Sequence, residues 1–324
     1  MTSSAMSGDS HRSLSRRELF AFMAAGGAAF ALGSSGCSRK PRADAGKVEL
    51  VWGDRGNRPG HLQKPRGAVV DSEDRIYISD QTDRIQVFST KGEFLTHWRL
   101  PAFDVDGPTG LNMDSDGNLM VADTHFYRIL FYTPEGELVR KIETTQGTEL
   151  GQFGYVRDVV QSADGYYYTC EYGAHDRVQV IAPDGEFIRE WGSQGYEPGQ
   201  FYRPEGVAFD RQGRLFVADS ANHRIQIFTT TGELLGIWGE EGDSLDQLRY
   251  PHDLGFDSGG NLYVCEWGNC RVQKFSSQGK SLGAWGGRGG RPGKLSFPWA
   301  LAIDERDRIH VADSGNHRFQ TIVL

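Results

Sequence analysis

Gly206-Val207-Ala208-Phe209-Asp210, Arg214-Leu215-Phe216-Val217-Ala218-Asp219-Ser220, Asn222-His223-Arg224-Ile225-Gln226-Ile227-Phe228 and Gly232-Glu233-Leu234-Leu235-Gly236-Ile237-Trp238-Gly239 follow one another in the chain. Each is a short run rich in Val, Ile, Phe, Leu and Trp, and Asp, Ser, Asn and Gly separate the runs. That is the pattern of strands joined by hairpins, and it has no helical period. The unit recurs along the chain. The acidic residue that ends the second run reappears as Asp80, Asp123, Glu171, Asp219, Glu266 and Asp313, at spacings of 43, 48, 48, 47 and 47, and an arginine follows each, at Arg84, Arg128, Arg177, Arg224, Arg271 and Arg318. Four antiparallel strands per repeat make a sheet that buries both faces only when neighbours cover it. Six such repeats predict an all-β, six-bladed β-propeller.

The ends of the array predict how the ring closes. The fourth-strand signature appears early, in Val48-Glu49-Leu50-Val51-Trp52-Gly53, before any first strand, and the last repeat stops at Thr321-Ile322-Val323-Leu324, after its third strand. The N-terminal strand is therefore expected to complete the last blade and remove the open edge.

Composition narrows the function. The 324 residues include 42 glycines, about twice ordinary usage, and 43 acidic against 35 basic side chains, net −8. Residues 1–36 read as an export signal. Ser15-Arg16-Arg17-Glu18-Leu19-Phe20 precedes a short apolar run from Ala21 to Leu32, the twin-arginine pattern, and this run is too short for a spanning helix. Gly33-Ser34-Ser35-Gly36-Cys37 resembles a lipobox, with Cys37 as the lipidated residue, although Ser34 departs from the usual leucine or valine. Cleavage after Ala43-Asp44-Ala45 is the alternative. Residues 37–47 then form a linker and 48–324 the propeller, and the protein is expected in the periplasm or cell envelope, lipid-anchored to a membrane. Losing residues 1–36 removes three arginines, one aspartate and one glutamate, leaving 32 basic and 41 acidic groups. This balance argues against nucleic acid as a partner.

Asn222-His223-Arg224-Ile225 and Asn316-His317-Arg318-Phe319, with their flanking Val-Ala-Asp-Ser, resemble NHL repeats. The resemblance covers residues 48–324. It implies the propeller fold but no single activity, since such propellers serve as binding platforms, sensor domains and, rarely, enzymes.

Residues that recur in every blade read as structural. The six acidic–arginine pairs are expected to be half-buried ion pairs, and the tryptophans at 52, 98, 191, 238 and 285 to pack between blades. His125, His175, His223 and His317 lie on different blades and diverge, which disfavours a shared metal. Cys170 and Cys265 stand where other blades have Ala122, Ala218 and Ala312 and read as small core residues. Cys270 replaces the histidine of the Asn-His-Arg motif, and a Cys265–Cys270 disulfide is the alternative to free thiols in an oxidising compartment.

Function is expected where the repeats disagree. The residue opening each first strand reads Arg66, Thr109, Arg157, Glu205, His252 and Trp299, with Val156 in place of the preceding proline in blade three. Together with Asp253 these are expected to face the channel mouth, exposed, carrying little packing energy, and able to take a small polar ligand or a peptide end. Tyr172, Tyr196 and Trp267 are expected on the loops of the same face. The first reading is a binding or scaffold module for a protein partner or a small polar ligand, with no cofactor. The second is a metal-dependent lyase or hydrolase. Pro251-His252-Asp253-Leu254 resembles one zinc-binding segment of peptidylglycine-amidating lyase, a family that uses three such histidines. Here the other five positions are not histidine, so a zinc or calcium ion at His252 is the weaker expectation.

Overall fold

The computed structural model describes residues 46–102, 107–173 and 175–324. They form six four-stranded antiparallel sheets arranged as propeller blades. The innermost strands are Gly67–Val70, Gly110–Met113, Tyr155–Gln161, Pro204–Phe209, Pro251–Phe256 and Leu301–Ile303 in blades one to six. In blade four they are followed by Leu215–Asp219, Arg224–Phe228 and Leu234–Trp238. Leu215–Asp219, the second strand of the blade, is buried at every residue, because both its faces are covered by neighbouring blades. The outermost is never fully buried and alternates half-buried with exposed residues, since its outer edge meets solvent. Turn chemistry fixes the hairpins. Asp210 Oδ1 accepts from the backbone N–H of Gln212 and of Arg214, both at 2.9 Å, and Gly213 supplies the positive φ of +75° that the reversal needs.

The ring closes as the ends of the repeat array require. The first strand, Lys47–Trp52, pairs antiparallel with the last, Arg318–Val323, from Lys47 opposite Val323 to Trp52 opposite Phe319. Six apolar cores hold the ring together, each drawn from two adjacent blades; the one at the seam joins Trp52, Phe319 and Ala312 of blade six to Leu62, Ile76 and Phe88 of blade one. The recurring tryptophans cross these boundaries. A side chain added at Gly92, Gly136, Gly232 or Gly279, all at positive φ, would stand 2.4–2.8 Å from the ring of Trp52, Trp98, Trp191 or Trp238 in the preceding blade. Glycine is required there because an indole lies flat on the turn. A side chain added at Gly46, just before the first strand, would stand 2.8 Å from the ring of Trp285.

Among the described residues the three cysteines are free and buried. The Cys265–Cys270 disulfide does not form. Cys265 lies opposite Val272 in the ladder, while Cys270 sits in the left-handed turn position at φ +51°, its thiol 3.6 Å from the carbonyl of Trp267. Cys37, Arg16 and Arg17 fall outside the described residues.

Candidate functional site

The channel-mouth residues owe their placement to a break in the β-ladder. In blades three, four and five the pairing skips one residue, between Val156 and Asp158, between Pro204 and Gly206, and between Pro251 and Asp253. The skipped residues are Arg157, Glu205 and His252. A bulge leaves its extra residue out of the pairing and redirects the side chain, here towards the propeller axis. Arg66, one residue ahead of its ladder, and Trp299, two residues ahead of its own, occupy the matching position and bond the carbonyls of Ser79 and Ala312 through their backbone N–H groups.

The six side chains meet, but they interlock. Arg157 donates through Nε and Nη2 to Glu205 Oε2, both at 2.6 Å, and both side chains are buried. Arg66 lies over the Trp299 ring at 4.6 Å, and Arg157 lies over Trp299 at 5.9 Å and over Tyr172 at 5.5 Å. His252 sits edge-to-face with Trp299 at 4.7 Å and stacks on Trp267 at 5.9 Å. Thr109 donates to the carbonyl of Arg157 at 2.9 Å. The expectation of exposed residues lining a funnel is corrected for Thr109, Arg157 and Glu205, which are buried. The cavity left among them is about 20 Å³, space for a water molecule and no organic ligand.

Two aspartates follow the bulges where other blades have glycine or alanine. Asp158 Oδ2 accepts from Val207 N–H at 3.0 Å, and Asp253 Oδ2 from Leu301 N–H at 2.8 Å, so each carboxyl ties its blade to the next. Burial pushes Asp253 up to about 7 against those backbone bonds, and burial together with the Asp253 charge holds Asp158 well above the usual carboxylate range. His252 is pushed down to about 4 by burial, opposed by Glu205 and reinforced by the cations Arg157, Arg203 and Arg66.

A metal does not fit this residue set. Of the six mouth positions only Glu205 and His252 carry ligating groups. Glu205 is committed to Arg157, His252 is packed between two indoles, and the oxygens of Asp158 and Asp253 are engaged by backbone N–H groups. No group of three or more His, Cys, Asp and Glu among the described residues could hold a zinc or calcium ion.

The acidic–arginine pairs have a further task besides pairing. Arg177 donates to Glu171 at 2.8 Å and to the carbonyls of Thr148, Glu149 and Gln152. Arg224 donates to Asp219 at 2.7 Å and to the carbonyls of Tyr196, Glu197 and Gln200. Arg84, Arg271 and Arg318 bond loop carbonyls in the same way, so five of the six arginines clamp the loop that enters their own blade, whereas Arg128 in blade two bonds Asp123 and Glu143. The motif histidines are clamps as well. His223 and His317 take left-handed turn positions, and each accepts a backbone N–H from the next blade through Nδ1. In blade three Asp176, not His175, does this job, bonding Arg203 N–H at 2.8 Å.

The loop-face residues surround the same entrance. Tyr172 lies under Arg203 at 4.8 Å, Trp267 packs on Phe297 at 4.7 Å, and Tyr196 is 69% exposed. Arg203, Tyr250 and Phe297 also join this rim, and the sequence reading passed over them. All three immediately precede a proline and sit at positive φ, between 46° and 52°, a conformation disfavoured before proline that turns their side chains onto the face. The signal was present, since the pre-proline residue varies from Lys64 to Arg203, Tyr250 and Phe297 in an otherwise repeated setting.

The fold is a six-bladed β-propeller, and the NHL repeat family model matches residues 201–228, 248–275 and 295–322, in blades four, five and six. The chain is distantly related to peptidyl-glycine alpha-amidating monooxygenase of Mus musculus, 28% identical over 182 residues that make up 53% of this chain and 18% of that protein. It is 32% identical to NHL repeat-containing protein 3 of Homo sapiens over 166 residues, covering 45% of this chain and 46% of that one. The chain therefore spans less than a fifth of the first relative and under half of the second. Virginiamycin B lyase from Staphylococcus aureus shares the fold at a TM-score of 0.56 and 17% identity, over 79% of each chain.

Proposed function

We propose that this NHL propeller is an exported, lipid-anchored binding module that recognises a protein partner or a small polar ligand on the face surrounding the channel entrance. The observation that carries the reading is the rim itself. At one position repeated round the ring, six side chains of five kinds come together beneath a layer formed by Tyr172, Trp267 and Phe297, while the cavity below them admits only water. Recognition belongs on the rim, where Trp267, Trp299, His252 and Arg66 are half-buried and Tyr196, Arg203 and Tyr250 are exposed. Such aromatic and arginine surfaces suit interfaces, because rigid rings and guanidinium groups bury area at low entropic cost. Recovery of a bound partner or ligand from cell-envelope extracts by wild-type protein, lost on Trp267→Ala, tests this assignment.

Export and anchoring rest on Arg16, Arg17 and Cys37. Replacing both arginines by lysine is expected to hold precursor in the cytoplasm, and Cys37→Ser to move the exported protein from the membrane to the soluble fraction. Persistence of Cys37→Ser protein in membranes contradicts the anchor. The amidating relative keeps a lyase as the other reading, but the residues at the channel mouth offer a metal no ligand set.

A further inference from the structure

Five inter-blade loops, at residues 54–62, 145–153, 193–201, 240–248 and 287–295, share one backbone. In each the second residue bridges in parallel to the last, and the third residue's N–H bonds the last residue's carbonyl at 2.8–3.1 Å. Since the conformation is common, the charges on these loops are not needed to form it, and they segregate sharply. The second and fifth positions are Arg55 and Arg58 in the loop entering blade one, whose first residue Asp54 is its single acid, and Arg288 and Arg291 in the loop entering blade six, which has no acid. The equivalent loop entering blade five carries Glu240, Glu241, Asp243 and Asp246 and no base, while the other two carry one glutamate each.

The two basic loops are neighbours held by one tripeptide. Asn316 donates to the carbonyl of Gly289, Arg318 to that of Arg291, and His317 accepts the N–H of Lys64. Arg55, Arg58, Lys64, Arg288 and Arg291 are all exposed, and among the described residues none of them has a carboxylate within ion-pair distance. Five such cations side by side on a chain of net charge −8 repel one another; Arg288 lies over the Phe297 ring at 4.6 Å, and none of the five is neutralised by a carboxylate among the described residues.

We infer that the blade six–blade one rim, carrying Arg55, Arg58, Lys64, Arg288 and Arg291, docks an acidic polypeptide segment of the binding partner. This rests on reading the channel-entrance face as the binding face. The acidic loop next door selects the class of partner. A long polyanion or a flat anionic membrane laid over the face would meet the four carboxylates of loop 240–248, whereas a short acidic segment fits within the two basic loops and leaves the acidic one to a complementary base.

The test uses the full-length protein and a labelled oligo-glutamate peptide, with binding read by fluorescence anisotropy at low and at physiological salt. Wild type is expected to bind more weakly as salt rises, and Arg58→Gln/Arg291→Gln to weaken low-salt binding about tenfold or more at an unchanged Tm. Glu240→Gln/Asp243→Gln should bind at least as well as wild type. Failure of wild type to bind the peptide, or equal binding by the arginine double variant, overturns the inference, as does tighter binding to a single-stranded oligonucleotide or to anionic phospholipid vesicles than to the peptide. None of these outcomes touches recovery of a partner through Trp267, so the broader assignment stands or falls separately.

Discussion

Nδ1 of His223 in blade four accepts a hydrogen bond from the backbone N–H of Tyr250 in blade five, at 3.1 Å. His317 accepts the N–H of Lys64 at the same distance across the seam where blade six meets blade one. A ring nitrogen accepts only while unprotonated, so two blade boundaries depend on neutral histidine.

That dependence predicts acid sensitivity. Burial lowers the pKa of both histidines, with Glu241 and Asp219 opposing and Arg249 reinforcing at His223, and with Arg55 and Lys64 reinforcing and Asp80 opposing at His317. As pH falls below the ordinary value near 6.5, the unfolded chain takes up the proton first. The histidine contribution is therefore complete above about pH 6.5 and is lost as pH falls towards the lowered folded value. Wild type should lose its stability advantage over His223→Gln/His317→Gln across that interval, measured by denaturant midpoints. An advantage independent of pH from 7 to 5 contradicts neutral histidine as the acceptor.

Arg177 is the most deeply committed of the five arginine clamps, with no exposed side-chain surface and partners in Glu171, Glu190 and three loop carbonyls. Arg177→Ala strands the buried Glu171 carboxylate and is expected to cost about 3–5 kcal/mol. Thermal unfolding checks this, and Arg177→Lys should recover only part of the loss because a single ammonium cannot reach all the partners.

Trp52 joins the closing strand to blade one, stacked on Phe319 at 5.0 Å and lying against Gly92. Trp52→Ala is expected to cost about 3–5 kcal/mol, and deletion of residues 47–53 to lower the melting temperature of the whole propeller in one transition. A truncated protein that melts like wild type contradicts the shared seam.

The fold was legible because repetition makes pattern redundant. Six copies of the acid and the arginine, with five of the outer tryptophan, fix blade count, strand order and the borrowed first strand. The site was legible only as a set of positions. Constant spacing cannot show that Arg157, Glu205 and His252 are bulged out of their ladders, nor that Arg157 spends its charge on Glu205. His175 was similarly misleading. Blade three has one extra residue between Glu171 and Arg177, and this moves Asp176 into the clamp position.

Arg157→Ala should therefore destabilise the protein, in contrast to what an exposed position would give. It leaves Glu205 buried, with Arg203 3.8 Å away as its remaining cation, at a cost of about 3 kcal/mol. A melting temperature equal to wild type contradicts the plugged channel, and any loss of binding by this variant has to be corrected for unfolding.

The rim assignment is tested most directly by the amount of partner or ligand retained from envelope extracts on immobilised wild type, Trp267→Ala and His252→Ala, with Arg306→Ala on the opposite end of the propeller as control and every Tm measured. The account predicts retention by wild type and Arg306→Ala and loss on both rim variants while they remain folded. Equal retention by all four proteins contradicts it.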